Sequence, residues 1–149
     1  MLIPLFLCIG FEIAVLYMDL VFDLSALPYR HTRAVLPGEV MGPIATYYRY
    51  ITRNPYLLMF VLLTTAVCIV TEIVYDLVPR LVGYSSLFFI GFAMLAGTLK
   101  VIPTAQRLAT GTDPDDKRTR MIHSIFPYHV AILISILSLA LVQFSTTIK

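Results

Sequence analysis

The chain has 149 residues, of which 58% are hydrophobic and 13% are charged, and its formal net charge is +2. Soluble domains usually carry about 25% charged residues, so this composition leaves too little polar surface for a water-soluble protein. The basic residues do not form the patch or stripe that is typical of nucleic-acid binding, and no nucleic-acid partner is expected. The composition therefore predicts an integral membrane protein.

Four apolar runs are long enough to cross the hydrocarbon core of a bilayer, which needs about 20 residues. We place the spans at about 2–24, 56–77, 82–102 and 122–146. The sequence therefore predicts an all-α fold, in which four transmembrane helices pack as a compact bundle in a single domain, 1–149.

Three acidic residues interrupt the first apolar run. Glu12, Asp19 and Asp23 are seven and four residues apart, so they lie on one face of a helix. A charge at bilayer depth costs roughly 2.5–3.5 kcal/mol on insertion scales and normally faces protein, water or a partner.

Each of these acids allows more than one interpretation. Glu12 is either a protonated acid that bonds a Thr or Ser of a neighbouring helix, or an acid that meets a basic group of another subunit or of a cofactor, with a proton relay as a third alternative. For Asp19 and Asp23 we favour interfacial anchoring through salt bridges over a functional role.

The first connection is predicted to contain a short helix at about 38–53. Apolar and aromatic residues repeat at i, i+3, i+4 and i+7 from Ile44 to Ile51, which indicates a helix with one apolar face. Tyr rings and Arg side chains are typical of helices that lie at the headgroup level of a membrane. A role of the tyrosines in stacking on a cofactor is the weaker alternative. The residues expected to contact lipid are Tyr47, Tyr48, Arg49 and Arg53.

A second acidic pair lies at the end of the second span. Glu72 and Asp76 are four residues apart, and Arg80 follows Asp76 at the i+4 position, where the two side chains can pair. We expect all three to be solvated residues at the rim of the bundle.

The last two helices are predicted to extend beyond the bilayer as a hairpin. Gly111 is a typical helix stop, and the segment Asp113–Asp116 is a typical helix start, so the fourth helix should begin near Pro114. Pro103 and Pro127 are expected to bend the third and fourth helices.

Basic and histidine side chains can gather with Asp19 and Asp23 at the inner end of the bundle. No ligand spacing predicts a metal site and no catalytic or nucleotide-binding motif is present, so neither a catalytic residue, a metal nor a cofactor is expected. A haem held by His129 is a minor alternative. The candidates for this inner-mouth cluster are Lys100, Arg107, His123 and His129.

The distribution of Lys and Arg predicts the topology. Nine of the eleven basic residues fall in the two long connections, which four spans place on the same side, and only Arg80 and Lys149 remain for the other side. We therefore expect both termini outside and both long connections inside, in a bacterial inner membrane or the mitochondrial inner membrane.

Two functions of different classes follow from these patterns. The favoured one is a non-catalytic accessory subunit of a larger membrane complex, such as a respiratory or other energy-transducing assembly, with lipids and other integral membrane subunits as partners. The alternative is an autonomous membrane-embedded enzyme or binder that acts on a lipid, a quinone or another apolar small molecule at the inner mouth of the bundle. The absence of catalytic motifs favours the first.

Overall fold

A computed structural model describes residues 2–30 and 35–146, except for the side chains of Leu2 and Pro55. Arg33 and Lys149, which enter the topology prediction, lie outside the described residues. The described chain contains a 3₁₀ turn, Leu27–Tyr29, and a wide π-helical turn, Gly97–Val101, but no strand. Its α-helices are α1 (Leu2–Ala26), α2 (Gly38–Arg53), α3 (Pro55–Val74), α4 (Arg80–Ala96), α5 (Ile102–Thr110) and α6 (Asp115–Phe144).

Four helical segments are long and apolar enough to cross a membrane. The third of them joins α4, the π-helical turn and α5 into one segment. The prediction of an all-helical protein with four such helices is confirmed, and the four segments support a membrane location. They are Ile3–Tyr29, Tyr56–Val74, Arg80–Thr110 and Asp115–Phe144.

The long helices contact one another around an apolar core. α1 contacts α3 and α6, and α4 contacts the same two helices. The core includes Leu5, Ile9, Ile69, Ile90 and Ile136, which are all almost fully buried. Large apolar side chains also cover the outward faces of these helices, so the helices are apolar all round, as helices in contact with lipid are.

α2 occupies the range in which the sequence predicts a helix and packs against α1 and α5. Met41, Ile44 and Tyr48 on its inward face join a second apolar cluster with Leu108 of α5 and Ile122 of α6. α2 and α5 therefore cover the end of the helices at which Asp19 and Asp23 lie. The position of α2 relative to a lipid surface stays a prediction.

The third long segment changes its winding before Pro103. Proline lacks the backbone N–H that a regular helix needs, and the chain meets this proline with the wide turn Gly97–Val101, closed by a hydrogen bond from the Ile102 N–H to the Gly97 carbonyl. π-helical turns inside α-helices occur frequently at functional sites.

The α5–α6 connection follows the local signals in the sequence. α5 ends at Gly111, whose φ of 66° lies in the left-handed region that favours glycine. α6 begins at Asp115, directly after Pro114, and continues through Pro127.

Asp113 ties this connection to both helices. Its Oδ1 lies 2.8 Å from the Lys117 Nζ and 3.1 Å from an Arg107 guanidinium nitrogen. These contacts, with the hydrogen bond from Lys117 first, hold the pKa of Asp113 below its usual range.

Candidate functional site

The three acids of α1 are buried on the inward face of that helix. Glu12, Asp19 and Asp23 have exposed fractions of 2%, 7% and 2%. A buried carboxyl group is strongly destabilising unless polar partners surround it. The partners of these acids come from α2, α3 and α6.

Asp19, Asp23, Tyr47, Tyr48 and His129 form one group, which we name the acid–histidine cluster. The Asp23 Oδ2 lies 2.6 Å from the His129 Nδ1, and the Tyr48 hydroxyl donates to the Asp23 Oδ1 at 2.9 Å. The Tyr47 hydroxyl donates to the Asp19 Oδ1 at 2.8 Å, and the Asp19 Oδ2 lies 3.8 Å from the His129 Nε2. His129 therefore lies between two carboxyl groups, each of which is also held by a tyrosine.

The tyrosines differ from the sequence-based expectation of lipid contact. Tyr48 is only 1% exposed, so that prediction is wrong for Tyr48, and Tyr47 is partly buried with its ring stacked on Phe22 at 4.1 Å. Burial, and then the neighbouring carboxylates, raise the pKa of both tyrosines, so both hydroxyls stay hydrogen donors. Arg49 and Arg53 are exposed, and their contact with lipid stays a prediction.

Among the residues that the structure describes, Asp19 and Asp23 form no salt bridge to Lys or Arg. Within the described ranges, their only ion-pair partner is His129. The physical reason is that α2 folds over the end of α1 and brings hydroxyl groups, rather than basic groups, to the two carboxyls. The sequence held one signal of this contact. The acids on one face of the first helix and the paired tyrosines of the next predicted helix are polar side chains for which the sequence pattern offered no local hydrogen-bond partner.

With Asp23 ionised, its contact with His129 sets the tautomer of the imidazole. An ionised carboxylate can only accept hydrogen bonds, so the Nδ1 carries the hydrogen and, in the neutral ring, the Nε2 carries the lone pair. The His129 Nε2 has no hydrogen-bond partner among residues 2–30 and 35–146. A histidine oriented in this way can accept a hydrogen bond or a proton through its Nε2.

Glu12 lies seven residues before Asp19 on α1 and binds α3 instead. The Thr65 Oγ1 is 2.8 Å from the Glu12 Oε1 and 3.1 Å from the Val61 carbonyl oxygen. A threonine hydroxyl has a single hydrogen, so Thr65 can satisfy one of these acceptors and can accept from a protonated Glu12. The bond to a threonine of a neighbouring helix is one of the two arrangements expected for Glu12. The Glu12 Oε2 has no hydrogen-bond partner in the described part of the chain.

A cavity of about 60 Å³ lies between Glu12 and the acid–histidine cluster. Glu12, Asp19 and His129 line it, and most of its other walls are apolar side chains of α1, α3 and α6 together with part of the turn Gly97–Val101. The two residues with an unpartnered atom, Glu12 and His129, thus share one cavity. Its volume is large enough for a few water molecules or for a small polar group.

Two further cavities adjoin the first one. Their volumes are about 50 Å³ and about 200 Å³, and Val15 and Leu58 line all three cavities. The largest is also lined by Phe11, Tyr50 and Leu57, which are exposed. The three cavities therefore share walls and lie between the surface beside α1 and the α2–α3 junction and the acid–histidine cluster.

Of the four predicted inner-mouth residues, only His129 joins Asp19 and Asp23. The Lys100 Nζ lies 5.9 Å from the ring centre of Tyr128, and Arg107 pairs with Asp113 of the α5–α6 connection. The His123 Nε2 is buried without a hydrogen-bond partner among the residues that the structure describes. His123 and His129 are six residues apart, so they lie on different faces of α6.

A second buried polar group, which we name the glutamate–glutamine cluster, consists of Glu72, Ser86 and Gln143. The Gln143 Nε2 donates to the Glu72 Oε2 at 2.9 Å and to the Ser86 Oγ at 3.1 Å. The expectation that Glu72 is solvated is wrong, because side chains of α4 and α6 enclose it to 1% exposure. Asp76 and Arg80 are exposed and lie 3.8 Å apart, as expected. This cluster lines none of the three cavities.

In the described ranges, no group of three or more His, Cys, Asp and Glu residues is placed to hold a metal ion. No family model, curated protein or solved structure matches this chain. The function of the acid–histidine cluster and its cavities therefore has to be argued from their geometry.

Proposed function

We propose that the protein is a membrane-embedded binder of a small lipophilic molecule whose polar end reaches the acid–histidine cluster. The observation that carries this proposal is the row of three cavities that ends at Glu12, Asp19 and His129. Apolar walls with a few convergent polar groups are typical of small-molecule sites. Of the two functions that the sequence leaves open, this geometry favours the autonomous binder over the accessory subunit.

The cavity of about 200 Å³ supports entry of the ligand from the lipid phase. Phe11, Tyr50 and Leu57 line its mouth and are exposed. Phe11 and Leu57 belong to helices that are long and apolar enough to cross a membrane. A molecule dissolved in the bilayer would then reach the cluster without passing through water.

The acid–histidine cluster supplies the polar groups that hold the head of the bound molecule. Asp23 orients His129 through the Nδ1, which leaves the Nε2 free for the ligand. The tyrosine hydroxyls bind the outer oxygens of both carboxyls, so the carboxyls keep their positions when the cavity is empty. His129 is the residue on which any proton transfer to or from the bound molecule would depend.

We also propose that both termini lie outside and that the acid–histidine cluster lies near the inside face. The excess of Lys and Arg in the two long connections supports this orientation. Cysteine labelling tests it with Arg30→Cys and Lys117→Cys in a background in which Cys8 and Cys68 are serine. Both positions should react from the same side of sealed vesicles, and labelling from opposite sides would contradict the orientation.

The binding proposal is tested by filling the cavities. Val15→Phe places a ring at a residue that lines all three cavities, whereas the control Val21→Phe makes the same change on the same helix at a residue that is 43% exposed and lines none of them. The probe is 4-hexylphenol, titrated into purified protein in a mild detergent and detected by native mass spectrometry. We expect wild type and Val21→Phe to bind one molecule and Val15→Phe to lose at least about tenfold in affinity, which corresponds to about 1.4 kcal/mol.

The same spectra distinguish the accessory-subunit hypothesis. Equal binding by the two variants, or no binding by any protein, would overturn the proposed function. If other proteins accompany the chain in a fixed ratio and no small molecule binds, the accessory subunit becomes the better explanation.

A further inference from the structure

We infer, on the basis of the function proposed above, that the bound molecule carries a hydrogen-bond donor at its polar end. A lipophilic alcohol, phenol or quinol meets this requirement, whereas an ether, a ketone or a quinone does not. The reason is that the side chains lining the two inner cavities offer hydrogen-bond acceptors and almost no free hydrogens.

The 60 Å³ cavity shows this most clearly. Its polar side chains are Glu12, Asp19, Thr98 and His129. The Thr98 hydroxyl already donates to the Met94 carbonyl at 2.7 Å. An ionised carboxylate has no hydrogen to give, and the His129 Nδ1 hydrogen is bound by the Asp23 carboxylate.

The 50 Å³ cavity has the same character. Its polar side chains are Asp19, Tyr48 and Thr52. The Tyr48 hydroxyl donates to Asp23, and the Thr52 hydroxyl donates to the Tyr48 carbonyl at 2.7 Å. These hydroxyl hydrogens are therefore not available to a ligand.

The pattern holds while the ring of His129 is neutral and while Glu12 is ionised or carries its hydrogen on the Oε1. A hydrogen on the Glu12 Oε1 has the Thr65 Oγ1 as its acceptor at 2.8 Å, with the Thr65 hydrogen turned to the Val61 carbonyl, so the Oε2 still accepts. A hydrogen on the Glu12 Oε2 or on the His129 Nε2 would instead be a donor, because neither atom has a hydrogen-bond partner among the described residues. The Asp19 Oδ2 lies 3.8 Å from the His129 Nε2, which is ion-pair distance but too long for a hydrogen bond.

This arrangement selects among ligands because a ligand without a donor leaves hydrogen-bond acceptors of the protein, and its own oxygen, unpaired. A donor group satisfies a buried acceptor, whereas an ether or carbonyl oxygen would face other acceptors and lose its own hydrogen bonds to water. A site that is built to hydrogen-bond a hydroxyl group rejects an analogue without that group much more strongly than an apolar pocket does.

The first test needs no variant. 4-Hexylphenol and 4-hexylanisole differ only in that a methyl group replaces the phenolic hydrogen, and both are titrated into the wild-type protein. We expect the phenol to bind about tenfold more tightly, which corresponds to one net hydrogen bond. Equal affinities, with both probes blocked by Val15→Phe, would overturn this inference and leave the proposed function standing. If neither probe binds, the proposed function itself fails.

The second test changes the acceptors. The double variant Glu12→Gln/Asp19→Asn keeps an oxygen for Thr65 and for Tyr47 and places an amide hydrogen donor on each side of the cavity. Glu72→Gln/Asp76→Asn is the matched control, since neither residue lines any of the three cavities.

We expect the ratio of phenol to anisole affinity to fall from about ten toward one in the first double variant and to stay unchanged in the control. A ratio that stays at the wild-type value in both proteins would overturn the inference. If circular dichroism shows that the first variant does not fold, the wild-type comparison decides.

Discussion

The acid–histidine cluster and the glutamate–glutamine cluster both bury acids inside the helices, but of the two only the first lines any of the three cavities described above. In the glutamate–glutamine cluster, one amide nitrogen of Gln143 donates to both of its neighbours. In the acid–histidine cluster, the His129 Nε2 has no hydrogen-bond partner within the described residues, and both His129 and Glu12 line the same cavity. A buried acid in a membrane protein can therefore be either a tie between helices or part of a binding site.

An unpartnered atom does not by itself distinguish these two roles. The Gln143 Oε1 also has no hydrogen-bond partner within the described residues, yet Gln143 lines none of the three cavities. The adjoining cavity is the feature that marks the acid–histidine cluster as a site, and the following changes test whether the two clusters behave differently.

Asp23→Ala should have the largest effect on stability. It removes the acceptor of both His129 and Tyr48, and each buried donor left unsatisfied costs about 1–3 kcal/mol. The free energy of unfolding is measured in mixed micelles with increasing sodium dodecyl sulfate and circular dichroism. Asp116→Ala is the control, because its exposed pair with Arg120 should contribute less than about 1 kcal/mol. Similar losses in the two variants would contradict the structure of the cluster.

Gln143→Leu should have the next largest effect on stability. It leaves the Glu72 Oε2 and the Ser86 Oγ without their amide donor, which should cost about 1–3 kcal/mol in the same unfolding measurement. Affinity for 4-hexylphenol should stay unchanged, because the cluster lines no part of the row of cavities. A loss of affinity as large as that of Val15→Phe would show that the two clusters are not separate.

Replacement of Tyr47 or Tyr48 by Phe should have a smaller effect on stability, and the size of the loss should differ between the two positions. Tyr48→Phe removes a fully buried hydrogen bond and should cost about 1 kcal/mol, whereas Tyr47→Phe should cost less, since Tyr47 is only partly buried. Unfolding of the two single variants provides the comparison. A larger loss for Tyr47→Phe would contradict the burial of the two hydroxyls.

The smallest effect is expected at the α5–α6 connection. The pKa of Asp113 in the folded protein lies below its ordinary value of 3.8, so its contacts stabilise the fold fully above that value and are lost as the pH falls through the lower folded value. Asp113→Asn should therefore lower the melting temperature slightly near neutral pH. The difference from wild type should shrink below about pH 4, and a difference that grows on acidification would contradict the direction of the pKa shift.

Local signals in the sequence predicted the helices better than they predicted the contacts. Gly111 and Pro114 mark the end of α5 and the start of α6 because each acts on its own backbone. The acidic stripe of α1 follows from helical periodicity alone. Pro103 is preceded by the π-helical turn Gly97–Val101, which the sequence analysis did not predict, and the bend expected at this proline stays a prediction.

The partners of the acids could not be predicted in the same way. Tyr47 and Tyr48 lie 28 and 25 residues from the carboxyls that they bind, and Gln143 lies 71 residues from Glu72. These pairs depend on how α2 folds back over α1 and on how α3 and α6 both pack against α4. The cavities are what such packing leaves unfilled, so the sequence pointed to the acids but not to the space beside them.

Photo-crosslinking in native membranes tests the central claim most directly. A diazirine derivative of 4-hexylphenol is activated by light, and the labelled residues are identified by mass spectrometry with and without excess unlabelled 4-hexylphenol. We expect competed labelling at Val15 and Leu58, which line all three cavities. Labelling confined to exposed residues such as Val21 and Val70, and unaffected by the competitor, would contradict the claim that the protein binds a lipophilic molecule at the acid–histidine cluster.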